Sequence, residues 1–204
     1  MSGDQQSGRV PGGAQPAPPA SAKLVLASAS PQRRAILERL GVSFEVRPSG
    51  AHEREQGDPA EISVANALAK ARAVARAGET VIGCDTVVAL DGAIYGKPPD
   101  GAAARRTLRA LSGRTHEVVS GLAVLSDGAE RTAIARSAVT FRELPPALLD
   151  WYVALGEWRE RAGGYAIQGA GAALVTEVRG GFQNVVGLPL PELLDICPGL
   201  LGGA

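Results

Sequence analysis

The chain has 204 residues, 45% of them hydrophobic, which is enough to bury one substantial core or two small lobes around a cleft. Its 21 acidic and 21 basic residues give no net charge, which argues against a general binding surface for DNA, RNA or an anionic membrane. Any anion that the protein binds must therefore be held by a local cluster of charges.

The first 22 residues differ in composition from the rest of the chain. They are mostly Gly, Pro, Gln, Ala and Ser, so we expect a disordered tail at 1–22 and a single domain at 23–204. The tail lacks the apolar core of a secretory signal, and no apolar run of about 18 residues could span a membrane, so the predicted location is the cytoplasm. Cys84 and Cys197 have no metal-type spacing, and we expect free, buried thiols.

The first predicted elements are a buried strand at 24–28 and a helix directly after it. Ser30 supplies an N-cap, and Pro31 is favoured at the first helical position. The helix should run to about Leu40, with Gly41 as its C-terminal stop.

Two adjacent arginines lie in the first turn of this helix, where free N–H groups and the helix dipole already create positive potential. Arg33 shares the spacing of the apolar helix residues, so it points along the core-facing side, whereas Arg34 points about 100° further round, toward solvent. A solvated helix surface explains Arg34. For Arg33 we favour a position in a cleft, where it would bind an anion.

A second helix is predicted at 59–78, because Asp58 and Glu61 have the spacing of an N-terminal capping box. Lys70 and Arg72 fall in its last two turns, where cations offset the negative end of the helix dipole. That explanation competes with a role for either residue in binding an anion.

Residues 81–90 are almost continuously apolar, which predicts a central strand buried on both faces. Asp91-Gly92 predicts a two-residue hairpin into a short return strand. Asp85 lies in the middle of the buried strand, where a carboxylate without a partner would be strongly unfavourable. We therefore expect a cation, a metal or a hydrogen-bonding network beside it. A carboxylate that caps a loop at a strand end is the alternative.

The rest of the sequence also alternates between strands and helices. The predicted elements are a helix at 100–111, strands at 116–125 and 130–141 joined by Asp127-Gly128, a helix at 146–155, a strand over YAIQGAGAALVTEV and a last helix entered by a turn at NVVGLPLPELLDIC. Gln168 precedes a bend of small residues, which either a ligand close to the backbone or a β-bulge would explain.

Six polar residues could together handle a phosphate-containing substrate. Four are candidate anion binders and two are carboxylates: Ser28, Arg33, Lys70 and Lys97, and Glu53 and Asp85. This set fits a polyphosphate that enters with Mg²⁺ or Mn²⁺, which bind one or two carboxylates plus phosphate oxygens and waters. The only histidines, His52 and His116, are too few for a zinc site. A carboxylate could activate water while the cations neutralise charge on the leaving pyrophosphate.

Five segments in this order and spacing resemble the Maf family of nucleoside triphosphate pyrophosphatases. They are LASASPQRRAILERLG, GCDTVV, GKPPD, YAIQGAGA and NVVGLPLPELL, and the resemblance covers about residues 23–197. It implies an α/β fold with a mixed sheet and two lobes around a cleft, related to inosine triphosphate pyrophosphatases and usually homodimeric. It also implies cleavage between the α and β phosphates with a divalent metal, Mg²⁺ or Mn²⁺.

The resemblance also implies roles for individual residues. Asp85 takes the position of the proton acceptor and Glu53 that of a metal-associated carboxylate, and both are candidate metal ligands. The phosphate-binding positions are those of Ser28, Arg33, Lys70 and Lys97. A register shift in the Ala-rich helix would give the role of Lys70 to Arg72 instead.

Three positions in the family are associated with substrate specificity, here Gln32, Thr86 and Gln168. Thr86 and Gln168 resemble the branch that acts on dTTP, UTP and modified pyrimidine nucleotides, and differ from the branch that acts on 7-methyl-GTP. Gln32 departs from the pyrimidine branch, which usually has arginine there, and Arg161 stands where lysine is common. A nucleotide-binding regulator of septum formation is the alternative, but every charged position needed for chemistry is filled, which favours an enzyme.

Overall fold

The computed structural model describes residues 23–201, and the predicted tail at 1–22 lies outside the described residues. The helices are α1 (Pro31–Arg39), α2 (Pro59–Val74), α3 (Gly101–Leu111), α4 (Pro146–Leu155), α5 (Phe182–Val186) and α6 (Leu190–Ile196). The strands are β1 (Lys23–Leu26), β2 (Glu45–Val46), β3 (Glu79–Leu90), β4 (Ala93–Tyr95), β5 (Thr115–Ser126), β6 (Ala129–Phe141) and β7 (Val175–Gly180). Between residues 23 and 201, no helix is both long and apolar enough to cross a membrane.

The seven strands form one mixed sheet in the order β2-β1-β3-β5-β6-β7, with β4 also paired to β3. Strands β2, β1 and β3 are parallel, and the remaining pairs are antiparallel. The fold is therefore mixed α/β, as the sequence predicts. The two-lobed arrangement and the relation to inosine triphosphate pyrophosphatases remain predictions.

Strand β3 is unpaired over the middle of one of its edges. Along that edge β1 pairs with residues 79–82 and β4 with residues 88–90, while β5 occupies the opposite edge from 81 to 89. The interval between β1 and β4 contains Asp85 and Thr86. Because side chains alternate along a strand, these two neighbours point to opposite faces of the sheet.

The helices cover the sheet on both faces. Helix α2 packs on β1, β3 and β5 through Ala67 and Ala71, whereas α1 and α6 cover the other face through Leu37 and Leu193. Helices α3 and α4 cover the end of the sheet near Phe141. Cys84 and Cys197 lie in the core that α1 and α6 cover. Both are free, buried thiols, as the sequence predicts.

Two glycines let α2 lie unusually close to the sheet. A Cβ on Gly83 would be 2.1 Å from the backbone oxygen of Ala67, and one on Gly121 would be 2.3 Å from the backbone carbon of Ser63. The neighbouring atoms belong to the helix backbone, so a side chain there could not simply turn aside. The close contact brings the next polar residues of α2 within reach of β3.

Most of the predicted elements are confirmed. Ser30 caps α1 by accepting a hydrogen bond from the backbone N–H of Arg33, and α4 has the predicted bounds. Asp91-Gly92 forms the predicted turn between β3 and β4, and both residues have positive φ. Asp127-Gly128 does the same between β5 and β6.

The structure corrects the predicted end of the second helix. Helix α2 ends at Val74 because Ala75 adopts an extended conformation. Gly78, predicted as the last residue of the helix, instead has φ of +77° in the turn that leads into β3.

The strand predicted over YAIQGAGAALVTEV is correct only in its last part, β7. The backbone N–H of Ala166 donates to the Tyr152 hydroxyl, at 2.9 Å, and that of Gly169 donates to the Ala166 carbonyl, at 3.0 Å. These bonds fold residues 166–169 into a turn, so this segment does not pair with a neighbouring strand. The predicted turn into the last helix is present at 187–189, before α6, and a short helix, α5, precedes it.

Replacing Gly83 with alanine should lower the free energy of unfolding by about 3 kcal/mol, because α2 must move away from β3. The measurement is urea denaturation. Gly50→Ala is the control, because a Cβ there meets no atom within 4 Å. An unchanged midpoint for Gly83→Ala would show that the close contact of α2 is not needed.

Candidate functional site

A cavity of about 1080 Å³ lies beside the unpaired edge of β3. All nine residues that the sequence singles out for substrate, metal or specificity line it: Ser28, Gln32, Arg33, Glu53, Lys70, Asp85, Thr86, Lys97 and Gln168. They come from β3, from helices α1 and α2 on the two faces of the sheet, and from four loops. The structure thus brings the predicted site residues together, while their individual roles remain proposals.

Asp85 is the most enclosed carboxylate of the cavity, with 6% of its surface exposed. The Lys70 ammonium donates to Asp85 Oδ1 at 2.6 Å, and the Asn66 amide donates to Oδ2 at 2.9 Å. Both partners belong to α2. Removing one partner of such a buried ion pair strongly destabilises a protein, because the other charge is left buried and unpaired.

Glu53 shares the same ammonium. Lys70 Nζ lies 3.0 Å from Glu53 Oε1, so this cation connects a buried carboxylate with one whose side chain is 45% exposed. Glu53 lies in the loop between β2 and α2. The arrangement provides two carboxylates and one ammonium at one wall of the cavity.

Arg33 lies on the opposite face of the sheet and is held by three acceptors. Its Nε donates to the Gly187 carbonyl at 2.8 Å, its Nη1 to the Ser28 hydroxyl at 3.1 Å and its Nη2 to the Thr86 hydroxyl at 3.1 Å. The side chain is buried, as its spacing in the sequence predicts. A guanidinium has five N–H groups, so two remain for a ligand in the cavity.

The predicted solvent-facing arginine also behaves as expected. Arg34 is exposed and pairs with Glu38 along α1. The Thr86 hydroxyl that holds Arg33 is itself 2.8 Å from the Ser120 hydroxyl on β5. Arg33 is therefore positioned by groups from four separate parts of the chain.

Lys97 lies at an exposed part of the cavity wall. Its ammonium is 3.3 Å from a carboxylate oxygen of Glu160, whose side chain is 81% exposed. Arg161 follows directly and also lines the cavity, and within the described residues its Nε has no hydrogen-bond partner. Burial lowers the pKa of the Arg161 guanidinium.

The two predicted specificity glutamines lie in different elements, Gln32 in the first turn of α1 and Gln168 in the loop between α4 and β7. Gln32 Oε1 accepts a hydrogen bond from the Ser30 hydroxyl at 3.0 Å. Gln168 is exposed, and the Glu157 carboxylate fixes the loop after it by accepting bonds from the backbone N–H groups of Ala170 and Gly171, at 3.1 and 3.2 Å. Both glutamines therefore have supported backbones and side chains that reach the cavity.

The structure distinguishes Lys70 from Arg72. Lys70 lies in the cavity, whereas Arg72 is exposed on the outside of α2 and pairs with Glu130. Asn66, which donates to Asp85, is not among the residues that the sequence singles out. Its position four residues before Lys70 could have revealed it, because residues four apart share one face of a helix.

The carboxylates fit a divalent cation that arrives with its substrate. From residue 23 to residue 201, no group of three or more His, Cys, Asp and Glu side chains could hold a metal by itself. Glu53 and Asp85 together provide two carboxylates beside the cavity, and Mg²⁺ commonly takes only that many from a protein when phosphate oxygens and waters complete its shell.

The cavity also borders a buried aromatic cluster. The ring Nε2 of His116 lies 2.9 Å from the hydroxyl of Tyr165, which lines the cavity, and both rings pack edge-on against Phe141. Burial lowers the pKa of His116 to about 4 and raises that of Tyr165. His116 is therefore a neutral structural residue at neutral pH.

Comparison with known proteins gives a consistent result. Residues 23–198 match the family described as Maf-like protein. A dTTP/UTP pyrophosphatase of Anaeromyxobacter dehalogenans (strain 2CP-C) is 49% identical over 83% of this chain and 90% of its own length. The enzyme of that name from Moorella thermoacetica is 51% identical over 85% and 93%. The one from Thermococcus gammatolerans is 48% identical over 82% and 91%.

A solved structure shows a weaker likeness. The crystal structure of protein VC0702 from Vibrio cholerae aligns with 66% of this chain and 67% of its own, at 16% identity and a TM-score of 0.35.

The buried His116 should make the protein less stable in acid. Its pKa is about 4 when folded and near 6.5 when exposed, so between these values only the unfolded chain binds the proton, and stability falls as the pH decreases. The loss from pH 7 to pH 4 is roughly 3 kcal/mol. Urea denaturation of His116→Gln should show a smaller decrease over this range.

The exposed His52 provides the control, and His52→Gln should keep the pH dependence of the original protein. Equal slopes for the original protein and His116→Gln would mean that His116 takes up its proton without unfolding.

Proposed function

The chain belongs to the Maf family, and we propose that it is a nucleoside triphosphate pyrophosphatase that hydrolyses dTTP and UTP to the monophosphate and pyrophosphate. The observation that carries this proposal is the cavity in which Asp85, Lys70, Glu53, Arg33 and Lys97 meet. In an electrically neutral chain, such a local cluster is what a polyphosphate needs.

The triphosphate would be bound by residues on two sides of the cavity. Arg33 is already oriented by three hydrogen bonds, so little side-chain entropy is lost when its free N–H groups bind phosphate. Ser28 adds a hydroxyl beside it. Lys97 would exchange its exposed partner Glu160 for phosphate oxygens, and Lys70 would neutralise charge near Asp85.

Asp85 would act as the proton acceptor. Lys70 and Asn66 each occupy one of its oxygens and fix its orientation, and each carboxylate oxygen has a second lone pair. A water between Asp85 and the α-phosphate would give its proton to Asp85 and attack phosphorus. The bond to the β-phosphate oxygen then breaks, and pyrophosphate leaves with its charge neutralised by the cations.

Glu53 and Asp85 would hold a divalent cation, Mg²⁺ or Mn²⁺, together with phosphate oxygens. When bound, that cation would stabilise negative charge on the phosphates. The exposed position of Glu53 supports this role, because its carboxylate can contact both the solvent and the cavity.

Selection of pyrimidine bases would rest on Thr86 and Gln168, with Gln32 at the third position. Support comes from their place on the cavity wall and from the three relatives named dTTP/UTP pyrophosphatase. We also propose that the enzyme acts as a homodimer in the cytoplasm, where nucleotides are plentiful.

The deciding experiment is a product assay. The protein is incubated with dTTP, UTP, 7-methyl-GTP and the other common triphosphates in the presence of Mg²⁺ or Mn²⁺. The monophosphate plus pyrophosphate, formed fastest from dTTP and UTP, is the expected result. Orthophosphate plus the diphosphate would refute the cleavage site, and a preference for 7-methyl-GTP would refute the substrate assignment.

Replacing Asp85 with asparagine should lower kcat at least about 100-fold, because the neutral amide cannot take the proton of the attacking water. The size of the residue is kept, but Lys70 loses its buried partner, so the thermal midpoint must be measured alongside the activity. Gln168→Glu is a useful comparison, because it should change the preference among bases more than the chemistry. Retention of most activity by a folded Asp85→Asn protein would remove Asp85 from its assigned role.

A further inference from the structure

Asn66 is the most enclosed polar side chain in contact with Asp85. It is 2% exposed, and all of its hydrogen-bonding groups have partners. Its Nδ2 donates to Asp85 Oδ2 at 2.9 Å and to the Arg54 carbonyl at 3.0 Å, while its Oδ1 accepts from the Arg54 backbone N–H at 2.7 Å. The N–H and C=O of Arg54 determine the orientation of the Asn66 amide, because a flipped amide would place its NH₂ group against the Arg54 N–H.

The side chain therefore performs two tasks at once. Toward β3, it takes one oxygen of Asp85 while Lys70, one turn later on α2, takes the other. Toward the loop between β2 and α2, it holds both backbone groups of Arg54, the residue next to Glu53.

Apart from Asn66, side-chain contacts hold this loop at its start, where Arg47 bonds to Glu79, and at Glu53, which pairs with Lys70. Residues 47–57 contain no helix or strand, and the side chain of Glu53 is 45% exposed. The contact from Asn66 ties the backbone beside Glu53 to the rigid α2. The helix is in turn held against β3 by the close approach at Gly83.

We propose that Asn66 is a positioning residue of the reaction, which fixes the proton acceptor Asp85 and the metal-associated carboxylate Glu53 at one distance from each other. The inference rests on the proposed function. Asn66 acts through these two residues and need not touch the substrate. Phosphate binding, which depends on Arg33 and Lys97, is largely independent of it.

The test uses two variants that separate the two tasks. Asn66→Leu has a similar volume and removes every hydrogen bond. Asn66→Asp has nearly the same shape and keeps the acceptor for the Arg54 N–H, but it places an oxygen where the amide nitrogen donates to Asp85 and to the Arg54 carbonyl. If the leucine variant does not fold, the aspartate variant still tests the contact with Asp85.

Both variants should lower kcat, by about 10- to 100-fold. The dissociation constant for a non-hydrolysable α,β-imido dTTP analogue should change less than about threefold, because the phosphate-binding residues are untouched. Hydrogen exchange at the Arg54 amide should become faster in Asn66→Leu and stay slow in Asn66→Asp.

Ser63→Ala is the matched control on the same helix. Its buried hydroxyl donates to the Ala60 carbonyl and touches neither Asp85 nor Arg54. This variant should lose some stability while kcat and Arg54 exchange stay as in the original protein.

Two results would overturn the inference. One is an unchanged kcat in folded Asn66→Leu, and the other is a parallel loss of kcat, analogue affinity and thermal midpoint, which would indicate general damage. If the original protein hydrolyses no triphosphate, the proposed function fails instead. Slow Arg54 exchange in Asn66→Leu would then separately refute the anchoring of the loop.

Discussion

The site depends on the buried contact between Asp85 on β3 and Lys70 and Asn66 on α2. A carboxylate in the middle of a central strand is stable only when its charge is balanced and its oxygens are hydrogen-bonded. Both donors come from one helix face, and that helix can deliver them only because glycines at positions 83 and 121 leave no Cβ between it and the sheet. Packing and electrostatics are thus satisfied by the same helix.

The cavity follows from the strand pairing. Strands β1 and β4 share one edge of β3 but stop short of each other, so the backbone around Asp85 and Thr86 borders open space. Alternation along the strand sends Asp85 to the α2 face and Thr86 to the face where Arg33 lies. One short piece of strand therefore presents an acidic group and a support for a basic group to the same cavity.

Sequence patterns predicted features that depend on neighbouring residues better than features that depend on contacts between distant parts of the chain. Proline, N-cap and Asp-Gly residues act on the conformation of the backbone next to them. The start of α1 and the hairpin at Asp91 could therefore be predicted from the sequence. The segment from Tyr165 to Gln168 was predicted wrongly because a side chain from α4 takes the bond that a strand would use. Asn66 was missed because its partners are 12 and 19 residues away, and the only local signal was its spacing from Lys70 on one face of α2.

The charged residues of the cavity differ in how easily a substrate could replace their present partners. Arg33 and Asp85 are bonded to buried groups, which fixes their geometry before any ligand arrives. Lys97 pairs with the exposed Glu160, and exposed ion pairs contribute little stability because water and salt screen them. A triphosphate that enters the cavity can therefore displace an exposed carboxylate at small cost while the buried groups stay in place. Such a division would keep the reacting atoms fixed and still let the phosphate chain enter and leave.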